Sequence, residues 1–257
     1  MTIEPSAAAS QHRLATLARE SIIGTQSAST ATLQRRLKLG FTHAEALLTL
    51  FEGDLVSTRG PDGNRIILPR LLDITHANHP TNTYWITPGA LMAGEYPGTR
   101  DTGSTRSKIA RLLETGITAF LDLTEAGELR AYEGELMEVA KTQQINCTYR
   151  RMPIRDVSTP DTRQTMAAIL TQIEQWLHEK RTVYVHCWGG VGRTGTVVGC
   201  HLVHNGMSGT AALNHIKLLW TRMGADKQMR HPVSPETHAQ RDYVRVWSEL
   251  EEAMGTQ

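Results

Sequence analysis

Apolar positions near the amino-terminal end of the chain recur with a helical period. Over Gln11–Ile23 they fall three or four residues apart, and a second run of the same kind begins after Ser29 and stops at Gly40. In a third run, Thr42 and Glu45 have the spacing of a capping box, which predicts a helix start. The pattern therefore predicts three consecutive short helices.

Two short segments after these helices have the composition of strands. Leu55–Thr58 and Asn64–Leu68 lie on either side of Gly60–Gly63, which predicts a β-hairpin with a tight turn. Prolines, asparagines and histidines then interrupt any regular pattern, so residues 71–83 are predicted to be a linker. Three helices and a hairpin predict a small winged helix-turn-helix domain over residues 1–70.

Predicted strands and helices alternate in the rest of the chain, residues 84–257. Predicted strands lie in a hairpin over Tyr84–Ala93 and at Ile117–Leu123, Cys147–Arg151 and Thr182–Val185. Predicted helices cover Ser107–Glu114, Gly134–Lys141, Thr159–Lys180, Thr194–Asn205, Gly209–Met223 and Ser234–Met254, two of them opened by a Thr-Pro or Ser-Pro pair. This alternation predicts an α/β domain whose central, mainly parallel sheet is flanked by helices.

Composition adds limits to this picture. The 257 residues include 27 Lys+Arg and 26 Asp+Glu, so a net charge of +1 provides no global attraction to nucleic acid or to an acidic membrane. The chain has only three cysteines, an odd number, which argues against a fold stabilised by disulfides. Neither a signal peptide nor a membrane-spanning apolar run is evident, so we expect a cytoplasmic protein.

The segment that follows the last predicted strand has the composition of an anion-binding loop. It runs His186-Cys187-Trp188-Gly189-Gly190-Val191-Gly192-Arg193-Thr194-Gly195 and leads directly into a predicted helix. Glycines let successive backbone N–H groups converge, and the helix directs its positive end at the same point. Arg193 can bind two phosphate oxygens through its planar guanidinium. Cys187 would lie beneath the bound phosphate, where these groups favour the thiolate, the nucleophilic form.

These residues resemble the Cys-x5-Arg loop of cysteine-dependent protein tyrosine and dual-specificity phosphatases. The resemblance covers about residues 84–250 and implies phosphate monoester hydrolysis through a phosphocysteine, with no metal or other cofactor. It implies that Trp188, Gly189, Gly190, Val191, Gly192 and Arg193 bind the phosphate. Thr194 would donate a hydrogen bond to the departing thiolate, and His186 would orient the loop.

Transfer to a cysteine also requires an acid that protonates the leaving oxygen. Asp156 precedes the nucleophile by 31 residues, in a loop between a predicted strand and helix, which is similar to the acid loop of small dual-specificity phosphatases. Asp161 is the alternative acid. The segment Ser234–Gln240 is similar to the one that positions the hydrolytic water in tyrosine phosphatases, which would assign that task to Gln240.

Residue types near the nucleophile bear on the substrate. No Lys lies between Cys187 and Arg193, whereas loops that serve inositol phosphates often contain one, so that class is disfavoured. For Trp188 the favoured interpretation is packing against the sheet, and the alternative is that it shapes the pocket. Phosphotyrosine, phosphoserine and nucleic-acid 5′ phosphates all remain open as substrates.

The amino-terminal segment carries a second resemblance. Ser29–Phe41, followed by Ala44, Leu47, Leu48 and Glu52, resembles the gamma winged-helix domain of FtsK-type DNA translocases. This implies contact with duplex DNA through the basic residues Arg35, Arg36 and Lys38 and through Thr42 and His43 at the start of the third helix. The alternative is docking to a protein or to a second copy of the chain.

We therefore predict a phosphatase that is targeted or regulated by a winged-helix module. Its substrate would be a phosphorylated protein or a small phosphate monoester, and no membrane contact is expected. Two other hypotheses remain: a phosphatase that acts on nucleic-acid or nucleotide 5′ ends, and a DNA-binding regulator whose second domain only senses phosphate.

Overall fold

The computed structural model of the chain describes residues 14–15, 17–18, 21–22, 29–52, 56, 59, 65 and 79–255. Its strands are β1 Thr83–Thr87, β2 Leu91–Gly94, β3 Ala119–Asp122, β4 Thr148–Arg151 and β5 Val183–His186. Its helices are α1 Thr30–Leu37, α2 Phe41–Leu50, α3 Thr102–Glu114, α4 Glu133–Thr142, α5 Arg163–His178, α6 Gly192–His204, α7 Gly209–Trp220, α8 Ala225–Arg230, α9 His238–Arg245 and α10 Trp247–Gly255.

The five strands form one sheet in the order β1-β2-β5-β3-β4. The β1–β2 hairpin is antiparallel, and the other three pairs are parallel. All four residues of β5 are buried, as an apolar strand at the centre of a parallel sheet requires. The predicted α/β fold with a mainly parallel sheet is confirmed, and the carboxyl end of β5 lies in the middle of one sheet edge.

Helices cover both faces of the sheet. On one face, Ile109 and Leu112 of α3 and Leu136 of α4 pack with Phe120 and Tyr184 of the sheet. The opposite face carries the larger apolar core, to which the helices from α5 onward contribute buried residues such as Met166, Ile169, Ile173, Val197, Ile216 and Trp247. This second layer holds α6, and therefore the loop before it, against the end of β5.

Three helix starts differ from the prediction by four or five residues, and side-chain hydrogen bonds explain them. Helix α3 begins at Thr102 rather than at Ser107, because the Asp101 carboxylate accepts the N–H of Ser104. Helix α5 begins at Arg163 rather than at Thr159, because the Thr162 hydroxyl accepts the N–H of Thr165. The single helix predicted from Ser234 is two helices, α9 and α10, and the first starts after Thr237. Thr237 and Gln240 form the capping box there.

The described part of the amino-terminal region is helical. Besides α1 and α2, residues 14–15, 17–18 and 21–22 have helical conformation. The capping box predicted at Thr42 is wrong, because α2 begins at Phe41 after Gly40. The Glu45 carboxylate instead accepts hydrogen bonds from Thr30 and, at 2.9 Å, from Arg65.

The helices of this region share an apolar core of their own. Leu33, Leu47 and Leu48 are buried in it, and Met207 and Leu218 of the second region pack against it. The predicted hairpin falls mostly outside the described residues, as does most of the predicted linker. The winged helix therefore stays a prediction.

Candidate active site

The loop between β5 and α6 turns its carbonyl groups outward. The Trp188 carbonyl accepts the N–H of Tyr96 at 2.9 Å, the Gly189 carbonyl accepts Lys227 Nζ at 3.1 Å, and the Val191 carbonyl accepts Ser234 Oγ at 2.8 Å. In a planar trans peptide the C=O and the next N–H point in opposite directions. The N–H groups that follow these three carbonyls therefore point into the loop, as an anion site requires.

Glycine is needed at Gly190 for two separate reasons. Its φ is +73°, which favours glycine, and a Cβ at this position would lie 2.5 Å from the backbone carbon and oxygen of Gly94. The loop thus passes directly over the end of β2.

Cys187 lies in a cavity of about 320 Å³ at this sheet edge, which we call the catalytic cavity. The side chain is only 3% exposed. The cavity is lined by Asp156, Val157, Cys187, Trp188, Gly189, Val191, Gly192, Arg193, Lys227, Arg230, His231 and Glu236. The structure therefore brings the predicted nucleophile, arginine and acid together, and of the six residues predicted to bind phosphate all except Gly190 line the cavity, whereas His186, Thr194 and Gln240 do not.

Arg193 is buried to 1% exposure, and its terminal nitrogens are fully engaged. Nη1 and Nη2 donate to the two carboxylate oxygens of Glu128 at 2.7 and 2.6 Å, and Nη2 lies 2.8 Å from the Asp156 carboxylate. Burial lowers the pKa of the guanidinium, but Glu128, Cys187 and Asp156 together raise it by more, so the net direction is upward. Within the described part of the chain Nε has no partner, so a phosphate that takes the place of Asp156 on Nη2 can bind the Nε–Nη2 edge.

Glu128 is a site residue that the sequence did not indicate. The hydrogen bonds from Arg193 lower the pKa of its carboxyl, so it stays ionised and paired. It lies 65 residues from Arg193 along the chain, within a turn after β3 that has no recognisable motif. Only the three-dimensional structure reveals the pairing.

Asp156 and Asp161 have different surroundings. The Asp156 side chain is 47% exposed and lines the catalytic cavity beside Arg193. Asp161 is exposed and is not among the lining residues. Asp156 is therefore the better-placed proton donor of the two.

Gln240 connects α9 with the loop that carries Asp156. Its Oε1 accepts the N–H of Thr237 at 3.0 Å, and its Nε2 donates to the Ser158 carbonyl at 2.9 Å. The side chain is fully buried, and a Cβ at Gly192 would lie 2.9 Å from its Nε2. Gln240 thus contacts both loops of the cavity.

His186 and Thr194 flank the loop in the interior. His186 Nε2 is 2.6 Å from the Tyr132 hydroxyl, and its Nδ1 is 3.3 Å from the Cys187 carbonyl. Burial lowers the pKa of His186 despite the opposing effect of Asp122, so the ring is neutral. The Thr194 hydroxyl is buried and has no hydrogen-bond partner among the described residues.

Trp188 does not pack against the sheet, so the favoured sequence interpretation is wrong. The loop directs this side chain outward, where it is 59% exposed on the rim of the catalytic cavity. The alternative, a residue that shapes the pocket, fits its position.

Lys227 is a second cation that the sequence did not indicate. It projects from α8, is nearly buried, and binds both the Gly189 carbonyl and the Glu95 carboxylate, the latter at 2.8 Å. The loop that lacks a lysine in its own sequence is therefore contacted by one from 38 residues away.

The residues predicted to contact DNA lie elsewhere. Arg35, Arg36, Lys38, Thr42 and His43 are all exposed, at the end of α1 and the start of α2. None of them lines the catalytic cavity.

Neither a metal-binding cluster nor a membrane-spanning helix occurs among the described residues. No group of three or more His, Cys, Asp or Glu side chains there is arranged to hold a metal ion. Nor does any described helix have the length and apolar character needed to cross a bilayer.

Comparison with known proteins gives a match that covers this site. The family model described as "PTP-SAK: Swiss Army Knife protein, DSP-PTPase phosphatase domain" matches residues 80–244. The crystal structure of kinase associated phosphatase with its catalytic cysteine replaced by serine has a TM-score of 0.52 at 21% identity, over 66% of this chain and 96% of that one.

Two curated proteins are also similar. One is the Arabidopsis thaliana "Phosphatidylinositol 3,4,5-trisphosphate 3-phosphatase and protein-tyrosine-phosphatase PTEN1", 25% identical over 62% of this chain and 36% of that protein. The other is "Putative tyrosine phosphatase 067L" of Invertebrate iridescent virus 3, 30% identical over 47% of this chain and 45% of that protein. The chain thus matches less than half of the length of each relative.

Proposed function

The chain belongs to the PTP-SAK family of DSP-PTPase domains and is a cysteine-dependent tyrosine/dual-specificity phosphatase, and we propose that it hydrolyses phosphotyrosine in proteins through a phosphocysteine on Cys187. The observation that carries the proposal is the position of Cys187 in one cavity with Arg193 and Asp156. Both curated relatives are named as tyrosine phosphatases, one of them also as a phosphatidylinositol 3,4,5-trisphosphate 3-phosphatase, and the activity that the two names share supports phosphotyrosine as the substrate class.

In the first step, the Cys187 thiolate attacks phosphorus and the bond between phosphorus and the leaving oxygen breaks. The inward N–H groups and the Nε–Nη2 edge of Arg193 stabilise the charge on the three equatorial oxygens. The phosphate displaces Asp156 from Arg193, and Asp156, then protonated, gives its proton to the leaving oxygen, which departs as a neutral hydroxyl group.

In the second step, water attacks the phosphocysteine. Asp156, now a carboxylate, takes a proton from that water, and the phosphorus–sulfur bond breaks to give phosphate and the thiolate. The thiolate carries the negative charge of the leaving group, and we propose that the Thr194 hydroxyl donates a hydrogen bond to it. Gln240 contacts both loops and is proposed to hold them at the separation that admits the water.

The preference for an aromatic leaving group is supported by the rim of the cavity. Val157 is 61% exposed and Trp188 is 59% exposed, and both side chains line the catalytic cavity. A phenyl ring bound between them would remove apolar surface from water and gain ring contact with the indole. A phosphoserine side chain is shorter and has no ring, so it would not make these contacts.

This proposal is tested with paired peptides that contain phosphotyrosine or phosphoserine at the same position. We expect wild-type protein, in reducing buffer without added metal, to release phosphate faster from the phosphotyrosine peptide. Trp188→Ala should reduce that preference about tenfold, the loss expected for one aromatic contact of about 1.4 kcal/mol. Equal rates on both peptides in the wild type would contradict the phosphotyrosine assignment.

For the amino-terminal region, we propose a winged helix over residues 1–70 that recruits the phosphatase to duplex DNA, with residues 71–83 as linker and 84–257 as the phosphatase domain. The exposure of Arg35, Arg36 and Lys38 on one helix end supports it. Binding to labelled duplex should weaken with salt and should be lost when these three residues are replaced by Gln. Salt-independent or unchanged binding would leave protein docking as the role of this region.

A further inference from the structure

A second cavity adjoins the catalytic cavity on the other side of Trp188. Its volume is about 510 Å³, and we call it the adjoining cavity. It is lined by Glu95, Tyr96, Gly98, Thr99, Arg100, Lys108, Glu128, Leu129, Arg130, Trp188, Gly189 and Lys227. Trp188, Gly189 and Lys227 line both cavities, so a group bound in one lies next to a group bound in the other.

The charge of the adjoining cavity is predominantly positive. Four of its lining side chains are cationic, namely Arg100, Lys108, Arg130 and Lys227, and two are anionic, Glu95 and Glu128. Both carboxylates are already committed to cations of the protein. Glu95 pairs with Lys108 at 3.0 Å and with Lys227 at 2.8 Å, and Glu128 pairs with Arg193.

These pairings keep both carboxylates ionised. Burial raises the pKa of Glu95, but the contacts with Lys227 and Lys108 lower it by more. Even with both carboxylates charged, the cavity wall has an excess of two positive charges. The excess is available to a ligand because one cation has no protein partner.

Arg100 is that cation. Its side chain is exposed and, among the described residues, makes neither a hydrogen bond nor an ion pair. Its backbone is fixed, because its carbonyl accepts a hydrogen bond from Arg130 at 2.8 Å. Arg130 also binds the hydroxyl of Thr102 at the start of α3. The Arg100 guanidinium therefore extends from an ordered backbone and offers five donors to an anion.

We infer that the adjoining cavity binds the carboxylate of an acidic residue that flanks the phosphotyrosine of a peptide substrate, with Arg100 as its main partner. This inference rests on the phosphatase activity proposed above. The phosphate and its ring would occupy the catalytic cavity, and the neighbouring peptide would pass over Trp188.

The distribution of charge favours a single carboxylate over a polyphosphate. Carboxylates are interspersed in both cavities, with Asp156 and Glu236 in the first and Glu95 and Glu128 in the second. A ligand with several closely spaced phosphates would place some of them against these groups, at a cost in repulsion. A peptide carries its negative charges farther apart, so it can avoid them.

The test uses phosphotyrosine peptides in which one flanking residue at a time is Glu, Gln or Lys. For the wild type we expect kcat/KM for the Glu peptide to exceed that for the Gln peptide about threefold to fivefold at the favoured position, as for an exposed charge pair, and by less in high salt. Arg100→Gln should bring the ratio close to one. Arg100→Glu should reverse it, so that the Lys peptide becomes the better substrate.

Arg106→Gln is the matched control. Arg106 lies six residues along the chain, on α3, pairs with Glu138 and lines neither cavity. We expect this variant to keep the wild-type preference. Thermal unfolding of each variant shows whether it is folded. Because the Arg100 side chain is exposed and unpaired, we expect the Arg100 variants to fold like the wild type.

The possible outcomes separate the two proposals. Absence of phosphate release from every peptide would overturn the phosphatase activity and this inference with it. Release with no preference for Glu, or with a preference that survives in both Arg100 variants, would overturn the inference alone. Arg100-dependent turnover of a soluble inositol polyphosphate, with no effect of Glu in peptides, would assign the cavity to polyphosphates and would also overturn it.

Discussion

The orientation of Arg193 depends on residues that are distant in sequence. Glu128 binds both terminal nitrogens, and the carbonyls of Leu123 and Ile154 accept from Nη1 at 3.4 and 3.2 Å. These contacts surround one side of the guanidinium and leave the Nε edge to the substrate. A buried cation with several acceptors is held in one geometry, which is the condition for preorganised stabilisation of a transition state.

Glu128→Gln should therefore impair turnover while the nucleophile is intact. The amide can accept from only one of the two nitrogens, so the guanidinium loses its bidentate partner. We expect kcat/KM on an aryl phosphate to fall about tenfold to a hundredfold, the cost of misplacing a catalytic group. Glu135→Gln, which removes a half-buried carboxylate that pairs with Arg130 and lines neither cavity, serves as control. A wild-type kcat/KM for Glu128→Gln would show that Arg193 does not need this carboxylate.

Asp156→Asn tests the proton donor. An amide cannot protonate the leaving oxygen, so we expect kcat on an alkyl phosphate to fall by about 10² to 10⁴. The fall should be much smaller on a nitrophenyl phosphate, whose leaving group needs less protonation. Asp161→Asn is the control, and an equal loss on both substrates for Asp156→Asn would contradict the acid role.

At the residue scale, the sequence predicted the groups whose role depends on close spacing. Cys187 and Arg193 are six residues apart, so local chain geometry brings them together. Glu128 and Lys227 were missed because they reach the site through the packing of other elements, and neither belongs to a motif. The predicted packing of Trp188 against the sheet was also wrong, because the side chain is exposed on the rim of the catalytic cavity.

Among the secondary-structure elements, the loop before α6 is held in place by the strand beneath it. Gly190 contacts the backbone of Gly94 at the end of β2, where no side chain can be accommodated. The antiparallel hairpin of β1 and β2 thus supports the active site, although it contributes no side chain to the catalytic cavity.

Gly190→Ala should displace the loop. The new methyl group would overlap backbone atoms of Gly94, and the positive φ adds strain of about 1 to 3 kcal/mol. We expect activity to fall at least tenfold and the unfolding midpoint to decrease. Gly134→Ala is the matched control, because its Cβ would meet nothing within 4 Å and alanine favours the helix. Wild-type activity in Gly190→Ala would show that the loop tolerates a side chain there.

Strand positions were predicted better than helix starts. All five strands lie within two residues of their predicted bounds. The Thr-Pro and Ser-Pro pairs indicated helix starts several residues too early. Thr162 and Thr237 cap the helices instead, and a threonine beside several other polar residues gives no unique signal.

On the scale of the whole molecule, buried histidines link stability to pH. Burial lowers the pKa of His201 from 6.5 to about 4, with a further contribution from His204. The unfolded chain therefore binds a proton that the folded chain excludes. The free energy of unfolding is greatest above pH 6.5 and should fall as the pH decreases from there toward about 4.

His201→Gln should make this decrease shallower, by about 1.4 kcal/mol for each pH unit in that range. The measurement is the free energy of unfolding by denaturant at several pH values, compared by slope because the variant also changes packing. His178→Gln replaces an exposed histidine on α5 and should keep the wild-type slope. Identical slopes for the wild type and His201→Gln would contradict the assignment.

The sequence predicted the structure of the phosphatase domain more completely than that of the amino-terminal region. The phosphatase fold followed from alternating patterns and one specific loop, and it is confirmed by the family match. In the amino-terminal region the helices were found, but their contact with Met207 and Leu218 was not. Short apolar runs predict that a surface is buried, and they do not specify which partner buries it.

The most direct test of the central claim is to trap the phosphorylated enzyme. Wild-type protein mixed with a phosphotyrosine peptide is denatured within one turnover, and mass spectrometry locates the phosphate. We expect it on Cys187, with none on Cys147 or Cys200, and we expect Cys187→Ser to be folded and to release no phosphate. Phosphate release by Cys187→Ser at the wild-type rate, or turnover without a modified Cys187, would contradict the phosphocysteine mechanism.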